Sequence, residues 1–222
     1  MGRIKIRYKG AWSFSKLRDF ETCRAQFARR HIQKLPEAQS AALTWGSEVH
    51  EGIEGWFQGW IPKMPGYMAG LAADFKKLKK LNPTLESMWG HDKDWTPLDN
   101  GFDRDAWVRA KTDAFLVRGD VAHVIDWKTG RQRDANADQV LFYGVLALLR
   151  EPKVNKAVLE LWYIDNGVIV PNPPVLRDDL KKHLKTFERR AGRIYTEGQW
   201  KEEPGLHCRW CPFRKSDRKS VV

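Results

Sequence analysis

The chain has 222 residues, enough for one large domain with a sizeable core. Lysine and arginine number 39 against 28 aspartate and glutamate residues, and this formal net charge of +11 favours a polyanionic partner, although many basic proteins bind nothing specific. No run of about 18 apolar residues occurs, and no apolar stretch follows the charged N-terminus, so neither a membrane span nor a secretory signal is expected.

Three helices and one strand are predicted ahead of the centre of the chain, over about 13–33, 41–60, 67–81 and 85–89, followed by an expected loop at 90–105. Ser13 or Ser15 can cap the first helix, which contains Cys23. In the second helix Gly46 and His50 stand four residues apart, so they lie on the same face. A single cysteine in a helix is more often a small packing residue than a ligand, and a single histidine is usually a satisfied polar residue.

The centre of the chain predicts a β-hairpin whose two strands and turn are 107–118, 121–128 and Gly119-Asp120. A two-residue loop that begins with glycine suits a type II′ turn. In that register Asp113 lies directly opposite Asp126, with cross-strand Cβ atoms roughly 4.5–5.5 Å apart. Because side chains alternate between faces, Lys128 shares the face of Asp126 while Trp127 points away.

The hairpin therefore places two carboxylates opposite each other, and such a pair is destabilising unless positive charge lies between them. Lys128 could supply that charge, but a divalent cation would do so better. Hard cations such as Mg²⁺ bind carboxylate oxygens and usually keep waters that substrate phosphates can replace. An ordinary charged surface hairpin is the alternative, because a lone Asp-x-Lys tripeptide is common.

After the hairpin the sequence predicts a helix at about 135–149, strands at 156–164 and 168–170, closure of the sheet at 171–174, and a basic helix at about 177–198. Gln139 and Tyr143 share one face of the first of these helices. The basic helix has one apolar face, and its charged residues include Lys182, Lys185 and Arg189. Those charges form either a solvated face or a track for DNA phosphates.

The C-terminal segment carries two of the three cysteines, Cys208 and Cys211, in a Cys-x-x-Cys pattern followed by proline. An odd number of cysteines argues against a disulfide framework and favours a reducing compartment. Zinc sites use cysteine and histidine ligands, so these two residues with Cys23 and either His207 or His31 form a candidate zinc set.

The motifs around the hairpin resemble those of the PD-(D/E)xK nuclease superfamily. Asp113 followed by 126–130, Asp-Trp-Lys-Thr-Gly, resembles its D…(D/E)xK core. The ending in Thr-Gly looks most like the RecB-type branch, which includes CRISPR-adaptation and phage exonucleases. Gly46 with His50 resembles the G-x-x-x-H motif of the family. Gln139 with Tyr143 lies in the family's order for the Q-x-x-x-Y motif.

The two ends of the chain also resemble this branch, in the form that carries an iron–sulfur cluster. The stretch before Cys23 is similar to the opening helix that supplies the first ligand, and Cys208 and Cys211 are similar to the C-terminal ligands. Asp217 stands where the family would place the last cysteine. Three thiolates and an aspartate can hold a [4Fe–4S] cluster with one labile iron, or a [3Fe–4S] cluster. Structural zinc and no metal at all are the alternatives.

The resemblance spans 17–211, and it implies a role for each matching residue. One or two Mg²⁺ or Mn²⁺ ions would be bound by His50, Asp113, Asp126 and the carbonyl of Trp127. Lys128 would position or activate the attacking water. Gln139 and Tyr143 would support the site.

The fold expected is α/β, a mixed central β-sheet flanked by helices with a restriction-endonuclease-like core. The expected domain organisation is a single nuclease domain, 1–222, with a catalytic sheet core at 84–175 and a terminal clamp formed by 13–34 and 199–218. The expected function is divalent-metal-dependent cleavage of DNA as an exonuclease in recombination, repair, or phage or CRISPR DNA processing. The place would be the cytoplasm of a bacterial cell or phage-infected host, with recombination or replication proteins as partners. A catalytically silent DNA-binding module and a site-specific endonuclease are the competing functions.

Overall fold

The computed structural model describes residues 6–37, 40–131 and 134–214. The chain divides into two compact units, one formed by 40–184 and the other by the segments before and after it. Across the three described ranges, no helix combines the length and the apolar character that a membrane crossing requires.

The unit formed by 40–184 contains a six-stranded mixed sheet, as expected. Its strands are β1 (Thr84–His91), β2 (Pro97–Leu98), β3 (Val108–Arg118), β4 (Val121–Lys128), β5 (Lys156–Tyr163) and β6 (Val168–Leu176). The order across the sheet is β2-β1-β3-β4-β5-β6. Only β4 and β5 pair in parallel within this sheet, while the other neighbours are antiparallel. The parallel pair needs a crossover, which the helix between these strands supplies.

The predicted hairpin is confirmed in its strands, turn and register. Arg118 pairs with Val121 and Ala114 with Ile125. Gly119 has a φ of 60°, a left-handed conformation that suits the first turn position of a type II′ hairpin and that glycine adopts without steric cost.

Helices cover the sheet. They are α3 (Ala41–Gln58), α4 (Ala72–Lys80) and α5 (Asp134–Arg150), after α1 and α2 of the other unit. Ser40 caps α3 by accepting a hydrogen bond from the Leu43 amide. The apolar side chains of α3 and α4 share a buried cluster with β3, β4 and β5. Helix α5 packs close to β5, since a Cβ on Gly144 would lie 2.6 Å from Leu159 Cδ2.

Several predicted boundaries in this unit were wrong. The third helix begins as a 3-10 turn, Gly66–Leu71, and becomes α-helical only at Ala72. The first strand is longer than 85–89, and the expected loop at 90–105 contains the short edge strand β2. The sheet does not close at 171–174. Strand β6 runs through these prolines to Leu176, which is possible because an edge strand does not need every backbone N–H for pairing.

The other unit holds α1 (Phe14–Thr22), α2 (Arg24–Phe27), a π-helical turn at Ala28–Ile32 and a 3-10 turn at Leu206–Trp210. The basic helix predicted at about 177–198 is α6 (Leu180–Thr196), which is shorter than predicted because Arg177–Asp179 form a 3-10 turn ahead of it. Residues 180–184 of α6 belong to the unit formed by 40–184. Ser13 is the cap of α1. The prediction of one continuous helix to about Gln33 was wrong. Cys23 adopts an extended conformation and separates α1 from α2. Phe27 stacks on Trp200 with ring centroids 5.3 Å apart, which ties the two ends of the chain together.

Candidate active site

Three carboxylates lie in one row across neighbouring strands. Leu85 pairs with Ala114, and Ala114 pairs with Ile125. Glu86 and Asp113 are the next residues along β1 and β3, and they lie between the paired positions Leu85–Ala114 and Ser87–Thr112. Asp126 follows Ile125 on β4, where the charge of Asp113 acts on its carboxyl group. Asp113 and Asp126 are 6% and 2% exposed, so water screens their charges only weakly. Asp113 Oδ2 accepts a hydrogen bond of 2.7 Å from the backbone N–H of Trp127, which fixes the carboxylate against the next strand.

His50 enters the row from helix α3. Its Nδ1 atom lies 3.4 Å from Asp113 Oδ1 and 3.5 Å from Glu86 Oε1. Among the described residues, these three side chains form the one group of at least three potential ligand atoms within 4.8 Å of one another. The sequence predicted two of the three.

Glu86 is the member that sequence reasoning missed, since it lies in a strand that had no assigned motif. Its backbone has a φ of 50°, a conformation that is uncommon for a residue other than glycine and costs free energy. Its Oε2 atom forms an ion pair of 2.5 Å with Lys111 Nζ, while its Oε1 atom is buried without a hydrogen-bond partner among the described residues. The strained backbone therefore holds a buried carboxylate oxygen that faces the imidazole of His50 at 3.5 Å.

Lys128 and the two polar residues of α5 form a continuous chain. Lys128 Nζ lies 2.5 Å from Asp126 Oδ2 and donates a hydrogen bond of 3.0 Å to Gln139 Oε1. Gln139 Nε2 in turn donates to the hydroxyl of Tyr143 at 2.7 Å. The ammonium group is thus oriented by an acid on one side and an amide on the other. The i, i+4 spacing in the sequence is what aligns this pair of α5 side chains.

The charges of the site shift the pKa values of several groups. Burial disfavours the charged form of His50, but the carboxylates of Asp113 and Glu86 outweigh burial and raise its pKa to about 10. Burial raises the pKa of Asp126, and the neighbouring Asp113 adds to the rise while Lys128 opposes it. Burial also acts to raise the pKa of Glu86, yet His50 and Lys111 leave it below its ordinary value. Protons and ammonium groups therefore balance the carboxylates.

The loop that leaves β4 is anchored by one carboxylate outside the row. Asp165 accepts hydrogen bonds from the backbone N–H of Gly130 at 2.7 Å and from the indole N–H of Trp45 at 3.1 Å. Gly130 has a φ of 81°, which explains a glycine at this position. Trp45 lies on α3, five residues before His50. Asp165 thus connects the loop after Lys128 to the helix that supplies the histidine.

The three cysteines belong to the other unit, whereas all residues of the carboxylate row belong to the unit formed by 40–184. Burial raises the pKa of the Cys211 thiol, and the nearby thiols of Cys23 and Cys208 raise it further. His207 Nε2 is buried without a hydrogen-bond partner in the described part of the chain. His31 Nε2, in contrast, lies 2.8 Å from Asp19 Oδ2. Of the two histidines proposed for zinc, His207 is the freer one. Asp217 lies outside the described residues.

The basic residues predicted to follow DNA lie on α6. Lys182, Lys185 and Arg189 are all exposed and follow one another at helical spacing. The helix buries Phe187, Ala191 and Ile194 on its other side.

Comparisons with known proteins identify the family and the fold. The model of the PD-(D/E)XK nuclease superfamily matches residues 11–216. The chain belongs to this superfamily. Its fold is similar to that of SSO0001, at a TM-score of 0.51 and 14% identity, over 98% of this chain and 90% of the other. A candidate exonuclease from Eubacterium rectale gives the same TM-score and identity over 84% and 81%. Among curated protein sequences, none matches the chain significantly.

Membership in the superfamily makes this protein a nuclease, and the fold is the restriction-endonuclease-like α/β fold that the sequence predicted. The nuclease family uses divalent metal ions and acts on DNA. The group formed by His50, Glu86 and Asp113 is the corresponding candidate metal site.

Proposed function

We propose that this nuclease is a divalent-metal-dependent exonuclease that degrades DNA from its ends in recombination, repair, or phage or CRISPR DNA processing. The observation that carries the proposal is the convergence of a histidine and three carboxylates beside a lysine that has its own hydrogen-bonded support. The place of action is the cytoplasm, where recombination or replication proteins are the expected partners.

The donor atoms of the row fit a hard divalent cation. Mg²⁺ and Mn²⁺ prefer carboxylate oxygens, and a buried Glu86 oxygen has no hydrogen bond within the described residues. His50, Glu86 and Asp113 would hold the ion, together with Asp126 and the carbonyl of Trp127 as the remaining predicted ligands. When bound, such an ion activates water and stabilises negative charge on the phosphate.

Lys128 supplies the positive charge that the protein itself brings to the reaction. Asp126 and Gln139 hold its ammonium group in place, so little reorganisation is needed when charge develops on the phosphate. Tyr143 acts one step further away, because its hydroxyl accepts a hydrogen bond from the Gln139 amide that itself supports Lys128. Tyr143 is therefore a positioning residue.

The test is digestion of DNA labelled at one end, compared with the same DNA closed into a circle. Wild type should shorten linear DNA in Mg²⁺ or Mn²⁺, leave circles intact and stop in EDTA. Asp126→Asn and Lys128→Met should each lose activity by at least about 100-fold. Asp178→Asn, an exposed carboxylate on the turn before α6, is the charge-matched control that should keep full activity.

Each competing function gives a different result. Cutting of closed circles would make the protein an endonuclease, and DNA binding without turnover in any divalent metal would make it a catalytically silent module. Full activity of Lys128→Met would refute the assigned active site.

We also propose that Cys23, Cys208 and Cys211 hold an iron–sulfur cluster that clamps the two ends of the chain. The support is the proximity of the three cysteines: Cys211 donates a backbone hydrogen bond to the Cys208 carbonyl, and Cys23 and Cys208 both lie near enough to add to the burial that raises the pKa of the Cys211 thiol. Iron–sulfur clusters in general prefer thiolate ligands. Protein purified without oxygen should be coloured and contain iron, and Cys208→Ala should lose both colour and thermal stability. Stoichiometric zinc without iron would instead assign the set to zinc, with His207 as the fourth ligand, and protein without either metal would refute both.

A further inference from the structure

An exposed aromatic ring lies beside the cationic end of strand β3. Phe102 is 72% exposed, and the guanidinium carbon of Arg109 lies 5.8 Å from the centre of its ring. The Nε atom of Arg109 is buried without a hydrogen-bond partner among the described residues. An aromatic face with an arginine beside it is a combination that stacks on nucleic-acid bases.

The loop that presents this ring is held in place by its own contacts. The Phe102 amide donates a hydrogen bond of 2.7 Å to Asn100 Oδ1. A Cβ on Gly101 would come within 2.4 Å of Met88 Cγ, so the loop rests directly on β1. Arg109 Nη2 donates to the carbonyl of Asp103 at 3.4 Å. The loop that carries the exposed ring is therefore held against β1 on one side of Phe102 and against Arg109 on the other.

A row of cations connects this ring to the active site. Arg109 and Lys111 are two residues apart in a part of β3 that pairs regularly with β1, from Val108 to Thr112. Their side chains therefore leave the same face, roughly 6.6–6.8 Å apart along the strand. Lys111 Nζ reaches Glu86 Oε2 at 2.5 Å, so the row ends at the carboxylates.

We propose that one DNA strand leaves the carboxylate row along Lys111 and Arg109, and that one of its bases stacks on Phe102. This inference rests on the proposed nuclease function and adds the form of its substrate. A base can cover the exposed ring only if it is not stacked in a duplex, so the segment that crosses this surface is single-stranded. The two cations contact its phosphates, while the ring contacts a base of any identity.

The test measures binding of short fluorescent oligonucleotides in Ca²⁺ in place of Mg²⁺, with gels to verify that the DNA stays uncut. A set of single strands carries one abasic residue at each of the first several positions from the end, which removes a base and keeps the phosphate. In wild type one position should weaken binding by roughly 5- to 150-fold, the range for loss of one stacked base. In Phe102→Ala an abasic residue at that position should reduce affinity hardly at all. The intact strand should bind this variant as weakly as the abasic strand binds wild type.

Trp60→Ala is the matched control, because Trp60 is a similarly exposed ring, at 73%, placed beyond the C-terminal end of α3. It should keep the abasic penalty of wild type. The same abasic penalty in wild type and Phe102→Ala would overturn the proposal, and so would its loss in Trp60→Ala. An equal penalty on a blunt duplex would overturn the single-strand assignment. Because binding is measured without turnover, absence of Mg²⁺-dependent cleavage would refute the nuclease function separately.

Discussion

Metal binding should compete with a proton on His50. The imidazole binds a metal only in its neutral form, whereas Asp113 and Glu86 raise the pKa of this histidine to about 10. Without metal, the imidazolium is therefore the dominant species at neutral pH. A divalent cation that uses His50 as a ligand must release that proton.

The magnitude follows from the pKa. At pH 7.5 the charged ring outnumbers the neutral ring by roughly 300-fold, which corresponds to about 3 kcal/mol. The side chain is 30% exposed, so solvent screening reduces the expected penalty to about 2–3 kcal/mol. The logarithm of the apparent metal affinity should rise by about 1 for each pH unit between roughly pH 7 and pH 9.

Titration calorimetry with Mn²⁺ in two buffers of different ionisation enthalpy measures the released protons directly. Wild type should release close to one proton per bound ion at pH 7.5. His50→Gln cannot hold this proton, so its proton release and the pH slope of its affinity should both vanish. A wild-type affinity that is flat with pH, with no proton release, would show that His50 is not a ligand or is not charged in the metal-free protein.

Three further predictions concern stability and DNA binding. The pKa of His50 in the folded protein lies above its ordinary value of 6.5. The charged imidazole therefore stabilises the metal-free protein fully below about pH 6.5, and this stabilisation is lost as pH rises through about 10. Over this range the melting temperature of wild type should fall relative to that of His50→Gln. Asp165→Ala should lower the free energy of unfolding in urea by about 0.5–1.5 kcal/mol, because two donors lose their acceptor in a partly solvated setting, and an unchanged midpoint would show that water replaces the carboxylate fully. Exchange of Lys182, Lys185 and Arg189 for glutamine should reduce the slope of log K against log salt on duplex DNA by up to about 0.9 per lost phosphate contact, whereas an unchanged slope would return these residues to a solvated face.

The parts of the site that could be predicted from sequence are those set by local geometry. A two-residue turn with glycine fixes the hairpin register up to the pair Ala114 and Ile125, so the turn at Gly119 also decides that Asp113 and Asp126 come next on the two strands. The spacing of four residues between Gln139 and Tyr143 likewise fixes their contact within one helix. Such relations depend on neighbours in the chain and not on the order of strands.

Glu86 could not be found in this way because its partners are distant in sequence. Glu86 approaches Asp113 only because β1 lies beside β3 in the sheet. Along the chain, the short strand β2 and a long loop separate these two strands. A sequence pattern does not specify strand order, and the positive φ of Glu86 has no sequence signature either. An acidic residue in the strand before the hairpin is the one signal that was present.

The break at Cys23 was missed for a related reason. Helical periodicity continues across Cys23, so the pattern alone predicts one helix. The Arg24 amide instead donates to the Glu203 carboxylate, and the Ala25 amide to the Lys201 carbonyl, both from the C-terminal segment. A contact with a segment roughly 180 positions away thus decides the local conformation.

The balance of charge in the row explains why metal and pH should act on this protein together. Without an ion, each carboxylate faces its own cation: Glu86 faces Lys111, Asp126 faces Lys128, and Asp113 faces His50. A divalent ion brings two further positive charges into a buried site, so one of the cations must lose its charge or move. Of these three cations, His50 is the one whose neutral form is a common metal ligand, so a metal that binds it displaces its proton. Glu86 raises the pKa of Lys111, which keeps its charge for the phosphate, so the cost of metal entry falls on the proton of His50.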